Sequence, residues 1–352
     1  MTKLIKKRVL LQYVFLLFLI MLTTYLVYTT LDIKLIPYLI KIVNFKYIYL
    51  GILLILIYIG IEVYVTNIIL NSIHKSKIKW MPFKLATMGL YYNLVTPFAS
   101  GSQPMQIYAM TKCNISISKA IAVVTNKTLI YQIVVTLYCG ALILFNLDLL
   151  KNELITILVL MCIGLTINIT TILIGILIIF SPLTMKKLSS KLINILYKIK
   201  SFKFVYDKKE KIENYIDEYH NSIMIFIKNK KGLVNSVIFT IIQLTIYFSV
   251  AFCIYKTFNL GTETYITLLT LQVFLYMSVS PVPTPGNVGA NEIVFLTIFS
   301  KVFPKDIMGY SVFLYSCFVY YILVMTCGVF TVITHYELGK YKTYKKETVE
   351  IK

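Results

Sequence analysis

The sequence predicts an all-α integral membrane protein with six transmembrane helices and two re-entrant hairpins arranged as an inverted repeat. Three observations carry that expectation. Of the 352 residues, 58% are hydrophobic, and several runs exceed the roughly 20 apolar residues needed to cross a bilayer. Two polar interruptions match each other: Thr96-Pro97-Phe98-Ala99-Ser100-Gly101-Ser102-Gln103 and Thr284-Pro285-Gly286-Asn287-Val288-Gly289-Ala290-Asn291 share Thr-Pro, three residues, Gly, a small residue and an amide. The same shift of 188 residues also lays 45–70 on 233–258 and 118–146 on 306–334. A duplicated unit broken at its centre by Pro and Gly is the pattern of a transporter-type membrane fold with its site at the two breaks. Chance recurrence of Thr-Pro and Gly would not bring the flanking spans along. The third observation is the one-sided distribution of lysine, which sets the orientation.

Taken in order, Lys3, Lys6, Lys7 and Arg8 precede the apolar run 9–31. That run is too long for a signal peptide and ends without a small-x-small cleavage site, so it is expected to be a retained first helix. The other crossings are expected at 45–70, 118–146, 154–180, 233–257 and 307–334. The stretches 85–113 and 265–303 each consist of two short arms around a Pro/Gly/Ser break. Neither arm reaches spanning length, so each pair is drawn as a re-entrant hairpin, with a pair of thin tilted crossings as the alternative.

With hairpins that return to their own side, residues 1–8, 71–84, 112–119, 181–231 and 335–352 share one face and hold 27 of the 35 basic residues. That face is expected to be cytoplasmic, with both termini inside and the protein in the cell (plasma) membrane. The units 45–146 and 233–334 then run in opposite directions within a single polytopic membrane domain, 1–352. The net charge of +20 is spread over membrane-flanking loops and is nearly all lysine. It fits anionic headgroups of membrane phospholipids as partners, and not nucleic acid. Within 181–231, Leu188, Leu192, Ile195, Leu196 and Ile199, then Ile212, Tyr215, Ile216, Tyr219 and Ile223, recur at helical spacing, with Asp207 and Glu210 as a capping pair. These are two amphipathic helices on the inner surface, or a soluble helical hairpin for a partner protein.

Cys113, Cys139, Cys162, Cys253, Cys317 and Cys327 never form Cys-x-x-Cys, and His74, His220 and His335 lie far apart without a carboxylate cluster. No disulfide framework, metal or cofactor is therefore expected. Tyrosines at span ends are taken as interfacial anchors without substrate information. The sequence leaves the oligomeric state open.

A charge in the bilayer core costs about 2.5 to 3.5 kcal/mol on insertion scales, so ionisable residues within spans are functional candidates. Glu62 lies eight residues before the inner end of one span and Lys127 nine after the inner start of the next. Both sit roughly 12 to 14 Å from the cytoplasmic edge, so an intramembrane ion pair is available. It serves either function or helix packing, with Asn126 and Gln132 as polar neighbours. Glu292 follows the second break. In the first turn of a half-helix it would sit where the dipole favours a carboxylate and free amides can take an anion. The expected substrate-binding set is Thr96, Pro97, Gly101, Gln103, Thr284, Pro285, Gly286, Asn287, Gly289, Asn291 and Glu292; no catalytic residue is assigned.

The segments from Leu90 to Pro104 and from Pro283 to Glu292, the latter carrying Thr-Pro-Gly-x-x-Gly-x-x-Glu, resemble the transmembrane region of the lysylphosphatidylglycerol synthase family, also called the flippase-like domain. The resemblance covers nearly the whole chain. It implies movement of lysylated phosphatidylglycerol between leaflets, whereas lysine transfer from lysyl-tRNA in relatives belongs to a separate C-terminal domain. Only residues 335–352 follow the last span here, so a stand-alone member without the aminoacyltransferase domain is expected. Many relatives carry paired glycines and then an arginine in the first hairpin. This chain has Gly101-Ser102-Gln103-Pro104-Met105-Gln106, leaving Lys112 or Lys127 for a phosphate contact. Three functions follow: a flippase or transporter of an anionic or aminoacylated phospholipid; a membrane enzyme of headgroup modification with Glu62 or Glu292 as general base; or a non-catalytic membrane partner of a separately encoded synthase.

Overall fold

The computed structural model describes residues 36–76, 78–151, 154–197 and 209–350, and the expected span 9–31 lies outside them. All regular structure among the described residues is helical. The first half comprises α1 (Ile36–Ile42), α2 (Phe45–Ile73), α3 (Met81–Val95), α4 (Ser102–Lys112), α5 (Ile117–Phe145), α6 (Leu147–Leu150), α7 (Ile155–Phe180) and α8 (Pro182–Tyr197). The second comprises α9 (Lys209–Lys228), α10 (Lys230–Phe248), α11 (Val250–Thr257), α12 (Tyr265–Val279), α13 (Ala290–Phe299), α14 (Lys305–Ser316) and α15 (Ile322–Glu350). Among the described residues, five segments are long and apolar enough to cross a membrane: α2, α5, residues 155–179 of α7, α10 with α11, and residues 305–339.

Helix ends follow local chemistry. The side chains of Asn44, Ser116, Asn229 and Thr264 accept hydrogen bonds from first-turn amides of α2, α5, α10 and α12, the usual use of Asn, Ser and Thr at an N-cap. The long tenth helix is interrupted at Ser249, whose hydroxyl donates to the Thr245 carbonyl and so competes with the backbone ladder.

Three contacts set the direction of the halves. The Asn44 N–H donates to the Thr257 carbonyl at 2.8 Å, Gln243 Nε2 to Glu62 at 3.0 Å, and Asn229 Nδ2 to Ser72 Oγ at 2.9 Å. α2 therefore runs antiparallel to α10–α11, the segment that stands 188 residues later. Each broken pair follows the C-terminal end of its own long helix, so α3–α4 enters the bundle from the Ile73 end and α12–α13 from the Phe45 end. Both pairs are helical hairpins. In the first, Gln106 Nε2 reaches the Leu85 carbonyl at 3.0 Å, and a Cβ on Gly89 would lie 2.1 Å from that amide nitrogen. In the second, Phe295 and Phe299 stack and pack with Phe303, which in turn meets Tyr255.

Outward faces carry Leu53, Leu137, Leu144, Leu177 and Met325. So much exposed apolar surface would drive aggregation in water, whereas hydrocarbon solvates it. α9 does more than lie along one end. Tyr219, Ile223 and Phe226 are buried, the Tyr219 hydroxyl donates to Thr125 Oγ1 and Ser116 Oγ to Glu218. Burial raises the Tyr219 hydroxyl pKa, with the Thr125 bond opposing. Glu210 stands in its first turn, and Asp207 lies outside the described residues.

Candidate functional site

The tips of the two hairpins meet. Each is a single 3-10 turn, Pro97–Ala99 and Pro285–Asn287, opened by a Thr in extended conformation and by proline at the first helical position. Equivalent residues share the left-handed region: Phe98 (φ 53) with Gly286 (φ 58), and Ala99 (φ 54) with Asn287 (φ 57). Gly and Asn tolerate that conformation, whereas a bulky L residue such as Phe98 is strained there. The breaks thus combine prolines that end a helix with a backbone reversal that starts the next arm.

Around the tips lie two adjoining cavities of about 520 and 260 Å³. Tyr58, Asn93, Phe98, Tyr131 and Gln132 line both. The larger is bounded by Thr284, Gly286, Asn287 and Asn291 of the second tip. The smaller is bounded by Gln103, Thr128, Gln243, Glu62 and Lys127. Of the expected substrate-binding set and the ion pair, seven residues (Thr284, Gly286, Asn287, Asn291, Gln103, Glu62 and Lys127) face the cavities, while Thr96, Pro97, Gly101, Pro285, Gly289 and Glu292 line neither.

Those six hold the tips in shape. Thr96 Oγ1 donates to the Tyr92 carbonyl at 2.5 Å and accepts from the Gly101 N–H at 2.9 Å. Glu292 sits at the third position of α13, where one carboxylate oxygen accepts from the Gly289 N–H and the other from Ser316 Oγ, both at 2.6 Å. The amide expected to receive an anion is therefore taken by Glu292 itself, in the capping-box arrangement. Thr284 lines the larger cavity, but its Oγ1, the repeat equivalent of Thr96 Oγ1, is fully buried and has no hydrogen-bond partner among the described residues.

Glu62 and Lys127 form an ion pair, their side chains 12% and 15% exposed, and Gln243 Nε2 donates to the other Glu62 oxygen. Gln103 Nε2 reaches Thr128 Oγ1 at 3.2 Å. Gln132 pairs with Asn168 of α7, and Asn126 turns away, bonding the Ala122 carbonyl of its own helix. Lys112 lies outside the cavities, over the Tyr108 ring.

A set of tyrosines within the helices, apart from those at span ends, was passed over in the sequence. Tyr58, Tyr131, Tyr247, Tyr276 and Tyr315 all line the larger cavity. Tyr131 and Tyr276 share a hydrogen bond of 2.9 Å, Gln272 Nε2 donates to Tyr315 at 2.8 Å, and Tyr58 and Tyr247 rings lie 5.5 Å apart. The positions of Tyr58, Tyr131 and Tyr247 well inside apolar runs, away from the span ends, were the signal available in the sequence. The π-helical segment Cys317–Tyr321 between α14 and α15 had no sequence signal. It carries Val319 to the cavity wall and Tyr320 beneath Gly286, as π-bulges at functional sites often do.

Long apolar helices around cavities of mixed polar and apolar lining, where two broken helices meet, define a multi-pass helical membrane protein. The chain belongs to the Lysylphosphatidylglycerol synthase TM region family, whose model matches residues 7–327. No curated protein and no solved structure matches it.

Proposed function

We propose that the protein is a flippase-like lipid transporter of the cell (plasma) membrane that moves an anionic or aminoacylated phospholipid, of lysylphosphatidylglycerol type, between leaflets. The observation that carries this is the pair of adjoining cavities at the hairpin tips, in which polar groups stand among apolar ones: Thr284, Asn287 and Asn291 on the larger, Gln103 and the Glu62–Lys127 pair on the smaller. Phe98 and Ile167 line the larger cavity and are 66% and 45% exposed, so it opens sideways between the first hairpin and α7. A headgroup enters there while the acyl chains stay in lipid. The family kinship supports a lipid substrate.

In this reading the chain crosses the membrane six times, with α3–α4 and α12–α13 as re-entrant hairpins from opposite faces. The units 45–146 and 233–334 are then inverted repeats, consistent with the antiparallel pairing of α2 and α10–α11, and rocking one against the other alternates access. The lysine-rich Ile73 end is cytoplasmic. Reorientation of fluorescent phosphatidylglycerol and lysylphosphatidylglycerol in liposomes carrying the purified protein tests the proposal. Movement above protein-free liposomes, slowed by Gln132→Leu, is the expected result. Folded protein that moves neither lipid would overturn it.

A further inference from the structure

We infer that the Glu62–Lys127 pair is an exchangeable clasp that selects headgroups bearing an ammonium beside their phosphate over headgroups bearing phosphate alone. This rests on reading the cavity as a headgroup site, and it concerns which headgroup fits. Among the described residues, Glu62 and Lys127 are the charged side chains on the walls of the two cavities. They lie at a cavity wall, with Gln103, Thr128 and Gln243 close by. Either ion can therefore change partners without leaving a polar surrounding.

A lipid phosphate is drawn to Lys127, a point charge that satisfies one oxygen at a time. If the headgroup carries only that phosphate, Glu62 keeps Gln243 and loses its cation, beside a second anion and away from bulk water. Such an uncompensated buried charge is the costly outcome of breaking an internal ion pair. If the headgroup also carries an ammonium, both partners are replaced: phosphate meets Lys127, ammonium meets Glu62, and neighbouring charges alternate in sign. Selection then comes from the penalty against the wrong ligand as much as from attraction to the right one. Phosphatidylethanolamine has the minimal chemistry, an ammonium two carbons from the phosphate oxygen, and phosphatidylglycerol is its counterpart without the cation.

The test is competition for the purified protein in detergent by an equimolar mixture of these two lipids with matched acyl chains, with bound lipid counted by native mass spectrometry. The wild type should retain phosphatidylethanolamine at least tenfold over phosphatidylglycerol. Glu62→Gln should bring the ratio to one or below, because Lys127 is then free for phosphate and no carboxylate is stranded. Glu62→Asp should restore the preference. The ratio is read on folded protein, so a lower yield of a variant does not mimic the effect. A wild-type ratio near one, a preference that survives Glu62→Gln, or retention of neither lipid would overturn the clasp. Preferential retention together with failed reorientation in liposomes would instead sink transport and leave the clasp standing.

Discussion

Gly286 approaches Leu94 so closely that a Cβ on the glycine would stand 2.7 Å from the Leu94 carbonyl oxygen and 2.3 Å from the Tyr320 ring. The second hairpin tip thus rests on the end of α3 through a residue that has no side chain and a φ of +58°. Gly286→Ala adds a left-handed penalty and overpacking, together about 2 to 4 kcal/mol. A marked fall in melting temperature in detergent is expected. Gly60→Ala, where a Cβ meets nothing within 4 Å, should leave melting unchanged or slightly raised.

The Glu62–Lys127 pair should behave as a coupled unit. Lys127→Met strands Glu62 and should cost about 3 to 5 kcal/mol, whereas Glu62→Met with Lys127→Met should recover most of that loss. A double-mutant cycle read by thermal melting measures the coupling. Additive losses would show that the two side chains do not depend on each other.

Glu292 is assigned to the tip's shape. Glu292→Ala removes the acceptor of the Gly289 N–H and should cost about 1 kcal/mol. Glu292→Gln keeps an oxygen acceptor there, as capping boxes accept either residue. In the liposome assay Glu292→Gln should retain near wild-type reorientation and Gln132→Leu should not. Loss of movement with Glu292→Gln at unchanged melting temperature would return Glu292 to the substrate site.

Orientation is testable by labelling in a cysteine-free background. Gly261→Cys lies in the loop at the Phe45 end, and Asn221→Cys on the exposed side of α9 at the other. A membrane-impermeant thiol reagent should label Gly261→Cys on intact cells and Asn221→Cys only after permeabilisation. The reverse pattern would invert the topology.

The long crossings were legible because hydropathy is a property of contiguous residues. The runs expected at 45–70, 118–146, 154–180, 233–257 and 307–334 coincide, apart from a few end residues, with the five long apolar helical segments of the structure. The breaks were legible for a related reason, since Pro and Gly act on their own backbone. The first arm of the first hairpin starts at Met81, earlier than residue 85, because Pro82 opens the helix and initiates it better than any apolar pattern reveals.

By itself the sequence determined the solvent, the positions of the five long apolar helical segments among the described residues, the two broken segments and their offset of 188 residues. Each of these depends on near neighbours in the chain. The tertiary structure alone decided what meets at the breaks: five tyrosines around one cavity, a Thr284 hydroxyl without a partner, and a Glu292 that caps its own helix. Helices apolar on every side carry no stripe to say which face turns inward. Tyr131 and Tyr276, 145 residues apart, therefore find each other only when the packed bundle sets every helix's rotation.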